Sequence, residues 1–114
     1  MKRLIATVLF ALTLADSRAT ETINPNSLVI TDMRVAEEGY GLPTIVGIAT
    51  NQSGGALSNA FIKFNLLDAR GHLVGNTIAQ ASNLETDNAW RFSAPIATPG
   101  VVSFKVVEVN AYRD

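Results

Sequence analysis

Cysteine is absent from the 114 residues. That excludes a disulfide scaffold, a thiolate zinc site, thiol catalysis and a lipid anchor on an N-terminal Cys. Histidine and tryptophan each occur once. Charge is sparse and balanced, with 17% Asp, Glu, Lys and Arg and a net charge of −1. No basic field is available to gather nucleic acid, and no acidic block forms a solvating tail. Long apolar runs are also missing: Leu4 to Ala15 covers 12 residues, short of the ~20 a helix needs to cross the hydrocarbon core. What is present is a 47% apolar chain, enough to build the core of one globular domain.

The amino end reads as an export signal. Lys2 and Arg3 form a basic start, Leu4 to Ala15 is uncharged and mostly apolar, and Ser17-Arg18-Ala19 places small residues where a signal peptidase reads. Cleavage after Ala19 leaves 95 residues, with six basic against nine acidic side chains. The expectation is a signal peptide over 1–19, a short polar extension over 20–27 and one domain over 28–114. The product is periplasmic or secreted, without a stable membrane anchor.

Beyond residue 20 Val, Ile and Thr are frequent and Glu and Lys are few, which favours strands over exposed helices. Turn residues recur at Glu37–Pro43, Asn51–Gly55, Asp68–Gly71, Asn83–Asn88 and Pro95–Gly100. Between them the pattern alternates. Ala60, Ile62, Phe64 and Leu66 fall on one face and Lys63 and Asn65 on the other. Trp90, Phe92 and Ala94 alternate with Arg91 and Ser93, and Val102, Phe104 and Val106 with Ser103 and Lys105. With Leu28–Ala36, Thr44–Asn51 and His72–Ala81, this predicts an all-β fold of about six to seven strands, a sandwich or barrel. Asp68-Ala69-Arg70-Gly71 predicts a hairpin turn, Asp68 bonding forward and Gly71 supplying a positive φ. Gly47 predicts a site where a large ring needs room, with Trp90 as the expected ring.

These pieces resemble the FxLYD domain family. The resemblance rests on Val46 to Asn51, Phe64-Asn65-Leu66-Leu67-Asp68 with Gly71, Leu73-Val74-Gly75, Asn83-Leu84 and Trp90-Arg91-Phe92. It covers roughly Leu28 to Tyr112, with Gly47, Asn51, Phe64, Leu66, Asp68, Gly71, Trp90 and Phe92 as motif positions. Leu67 stands where the family motif has Tyr, and Thr86-Asp87 where a Pro-Gly is usual. The resemblance implies an immunoglobulin-like antiparallel β-sandwich of exported bacterial proteins, with no shared enzymatic activity.

No catalytic, cofactor or metal constellation is expected. His72 follows Gly71 in a turn, and Ser58, Ser82, Ser93, Asp68 and Asp87 are only nominal partners without a nucleophile elbow or oxyanion loop. Glu37-Glu38 and Glu85/Asp87 lack the converging oxygens of a calcium site. Asn51-Gln52-Ser53 is formally a glycosylation acceptor, but a turn-closing Asn is the favoured reading. Tyr40 and Leu42, beside Pro43 in a Gly-flanked loop, form the candidate interaction loop, or cap one end of the fold. The leading expectation is a non-catalytic accessory module that binds another envelope protein through a loop or a sheet edge, Val101–Val109 being the Val-rich candidate, with Lys105 and Glu108 alternatively guarding that segment against unwanted pairing. A self-assembling structural subunit and a carbohydrate binder are the alternatives, and a small hydrolase ranks last. Nothing in the sequence sets the oligomeric state.

Overall fold

The computed structural model describes residues 21–38 and 41–113; the leader over 1–19 and Tyr40 lie outside the described residues. The elements are β1 (Glu21–Thr22), a 3₁₀ turn (Pro25–Ser27), β2 (Leu28–Glu38), β3 (Leu42–Asn51), β4 (Leu57–Leu67), β5 (Leu73–Leu84), β6 (Ala89–Pro95) and β7 (Ser103–Arg113). Every stretch expected to be extended contains a strand, with His72 and Val102 falling just outside β5 and β7. The strands form two antiparallel sheets, one ordered β1-β7-β4-β5 and the other β2-β3-β6. The chain is therefore an all-β sandwich.

Strand β4 is the centre of the larger sheet because its alternation is cleanest. Ala60, Ile62, Phe64 and Leu66 are all 0% exposed, whereas Lys63 turns outward to an ion pair with Glu108 at 3.3 Å. Burying a side chain such as Phe64 stabilises the fold by about 1.5–3 kcal/mol. Phe64 meets Phe92 of the facing sheet and Phe104 of β7, with ring centroids 6.1 and 5.9 Å apart. These contacts tie three strands into one core.

Two irregularities set which side chains face where. In β2 the register with β3 shifts between Thr31 and Arg34, and Asp32 has φ 56°. In β7 the pairs Lys63↔Glu108 and Phe64↔Val106 leave Val107 as an extra residue, a β-bulge. Part of the 20–27 extension also joins the fold: Glu21 and Thr22 pair with Arg113 and Tyr112, and Ile23 is buried in the core.

The ring accommodated at Gly47 is Phe92, not Trp90. Gly47 is the register partner of Phe92, and a Cβ on Gly47 would lie 2.6 Å from Phe92 Cζ. Trp90 sits one inward position further along, opposite Ala49. It is only half-buried and packs its ring edge against Phe92. Direct cross-strand pairing, rather than ring size, decides which aromatic needs the missing Cβ. Strand β3 is the central strand of its sheet, and Val46 on its outer face is buried as well as Ile45 and Ala49 on the inner one.

Candidate functional site

The two long flanks of the sandwich differ, and the difference begins with side-chain size. Along β5 the inward positions opposite Leu66, Phe64, Ile62 and Ala60 are Gly75, Thr77, Ala79 and Ala81. All are small, so β6 and the chain beyond it approach closely. Thr77 Oγ1 donates to Pro95 O at 2.7 Å, and a Cβ on Gly75 would collide with the Thr98 side chain. This flank is closed.

On the opposite flank the inward side chains are large. Strand β7 contributes Phe104, Val106 and Val109, and β2 contributes Ile30; each packs on the core yet stays half-buried. Val35 of β2, level with buried Ile45, is exposed. At one end of this seam lies a cavity of about 580 Å³ lined by Val35, Leu42, Pro43, Ile96, Val101 and Phe104 among others. Leu42 and Pro43, expected in the candidate loop, instead open strand β3, paired with Glu38 and Glu37, and both line this cavity.

The edge of β7 on this flank is unpaired over most of its length. β1 takes only Tyr112 and Arg113, and Ile23 N–H donates to Ala111 O at 2.9 Å. From Ser103 to Asn110 no strand lies beside β7 on this side among the described residues. In an antiparallel strand about half of the N–H and C=O groups point to each side, so this window offers a row of free donors and acceptors.

The remaining candidates have local roles. Asn51 is fully buried: Nδ2 donates to Gly55 O, Leu84 O and Glu85 O at 2.9–3.1 Å, and Oδ1 accepts from Ser53 N and Ser53 Oγ. The amide that a glycan would modify is the link between the end of β3 and the end of β5. Asp68 Oδ1 accepts from the N–H groups of Arg70 and His72, both at 2.9 Å, and Gly71 takes φ +79°. The His72 N–H bond above all, helped by Arg70 N–H and the nearby imidazole, holds the Asp68 carboxyl below its ordinary value of 3.8. The His72 side chain is 70% exposed, with Nδ1 3.7 Å from Asp68 Oδ2. Ser58 Oγ donates to Tyr112 O and Ser82 Oγ to Asn59 Oδ1, so both hydroxyls are engaged away from His72. Among the described residues no three His, Cys, Asp or Glu side chains converge as metal ligands, and Glu85 and Asp87 are both exposed. Tyr112 sets its ring edge-on to Phe61.

Alternation in Val101–Val109 points to the β7 edge. The cavity beside it carries no sequence signal, because its walls come from segments about 60 residues apart, such as Val35 and Ile96. Compared with known proteins, the chain matches no family model, no curated protein and no solved structure.

Proposed function

We propose that this chain is an exported, non-catalytic β-sandwich of the immunoglobulin type, akin to the FxLYD domain. In this reading it works by taking an extended segment of another polypeptide chain alongside β7. The observation that carries the reading is the unpaired stretch Ser103–Asn110 above half-buried Phe104, Val106 and Val109. Adding a strand there satisfies backbone groups and covers apolar surface in one step. The family likeness is supported by the placement of its motif residues: Phe64 and Leu66 in the core, Asp68 and Gly71 in the hairpin, Gly47 under Phe92. The order β2-β3-β6 against β7-β4-β5 adds support, since it corresponds to strands A-B-E against F-C-C′ of a variable-type immunoglobulin sandwich, with β5 beside β4 as C′ lies beside C. The basic and apolar leader supports export to the periplasm or beyond.

The test places a photo-crosslinking residue at Val107, on the open edge, or at Leu73, on strand β5, both exposed. Crosslinking in the native envelope is expected from position 107 and not from 73. No protein adduct from 107, or equal adducts from both, overturns the reading.

A further inference from the structure

The open window on β7 is self-complementary, and we infer that its occupant is the β7 strand of a second copy, paired antiparallel across a two-fold axis. This rests on the edge-binding reading above and names the partner. A symmetric antiparallel pair must bring side chains of the same face opposite each other. Residues three apart in a regular strand lie on opposite faces, so Lys105 and Glu108 could not be mutual partners. The bulge at Val107 removes that obstacle. Lys105 is level with Asn65 and Glu108 with Lys63, so both belong to the outer face. On the inner face Phe104 is level with Leu66 and Val109 with Ile62.

With Val106 and Val107 at the axis, where the bulge interrupts the alternation, the three positions on either side of them match their own image. Ser103 meets Asn110 of the second copy, Phe104 meets Val109, and Lys105 meets Glu108, each contact occurring twice. Polar faces polar, apolar faces apolar, and both ion pairs are of opposite sign. Glu108 already accepts from Lys63 Nζ at 3.3 Å and from Asn110 Nδ2 at 2.9 Å. These bonds hold its carboxylate on the face where the second Lys105 arrives, and its two oxygens retain acceptor capacity. β1 and the 3₁₀ turn that follows it, which touches β7, bound the window at one end, and the turn at Pro99–Gly100 bounds it at the other, which leaves this register the one that fills it. Phe104, Val106 and Val109 of both copies become covered, and the two larger sheets join into one.

Two measurements test this. Sedimentation of the purified chain is expected to show a dimer. Lys105→Glu and Glu108→Lys should each raise its dissociation constant by about tenfold or more, since two opposite pairs become like pairs. An equimolar mixture of the two variants should recover the dimer. In the mixed pair the carboxylate introduced at position 105 of one chain faces the ammonium introduced at position 108 of the other. The native Glu108 and Lys105 that the two chains retain then face each other as well. The recovery also shows that each variant is folded. Independently, the chain has no native Cys, so Val107→Cys should oxidise to a crosslinked dimer while Leu73→Cys does not. A wild-type chain that stays monomeric at its highest soluble concentration overturns the second-copy inference, as does a mixture no tighter than its components. If position 107 then crosslinks to a different protein or to the leader segment, the edge is bound by that segment instead, and the second-copy inference fails. Adducts to a different protein leave the broader edge-binding reading standing. No adduct of any kind removes both.

Discussion

The flank formed by β5 and β6 and the flank formed by β2 and β7 enclose the same core, yet one is shut and the other is not. On the shut flank the inward residues of β5 are Gly75, Thr77, Ala79 and Ala81, and Thr77 bonds directly to Pro95 O. On the open flank Phe104, Val106 and Val109 stand opposite Ile30 and Val35 of the other sheet with no such bond. Both flanks carry strand edges. What separates them is bulk: small side chains let two sheets converge, and large ones hold them apart while leaving apolar surface partly wet. A sandwich can thus leave one edge open without any special motif.

The sharpest test of that contrast is a pair of truncations in one aromatic cluster. Phe64→Ala, in the sealed interior, should cost about 3–5 kcal/mol of unfolding free energy. Phe104→Ala should cost about 1–2 kcal/mol, because its ring is already half in water. Urea titrations of the two variants give the comparison, and equal losses would break it. Next in size is Asn51→Ala, expected to cost about 2–3 kcal/mol by stranding the carbonyls of Gly55, Leu84 and Glu85. The same variant should leave β7 crosslinking from position 107 unchanged, since Asn51 lies at the β3–β5 end. Gly47→Ala should cost about 1–3 kcal/mol by driving a methyl into Phe92. Adding Phe92→Leu should recover part of that loss, measurable as a double-mutant coupling.

The smallest effect is expected at the Asp68 turn. Its carboxyl is more acidic folded than unfolded, so its contribution is complete above its ordinary value of 3.8. That contribution disappears as pH falls through the lowered value. Asp68→Asn should therefore be less stable than wild type at neutral pH, and the gap should close in acid. Denaturation midpoints across that range are the readout, and a gap independent of pH would assign the turn's stability to backbone geometry alone.

Much of the architecture is legible from period-two alternation. Ala60 to Leu66 defines one face of β4, and Asp68 with Gly71 marks the hairpin, because both signals are local. Two features are not legible. Gly47 announces a ring nearby, but only the register between β3 and β6 determines that the ring is Phe92 rather than Trp90. The bulge at Val107 is likewise invisible in a run such as Val106-Val107-Glu108, since it arises from how β7 matches β4. Of the site, the Val-rich final segment can be read as an edge. That its flank is open cannot, because openness depends on inward side chains of β2, β5 and β7 that are distant in the chain.

The pairing of Glu21 with Arg113 bears on the timing of folding. The first described strand has no sheet to join until the last one has been made and laid against β4. Closure of this loop spans nearly the whole described chain, the kind of long-range contact that slows folding. The larger sheet is therefore complete only once β7 has been made and laid against β4, and until then the chain lacks the lane in which β1 sits.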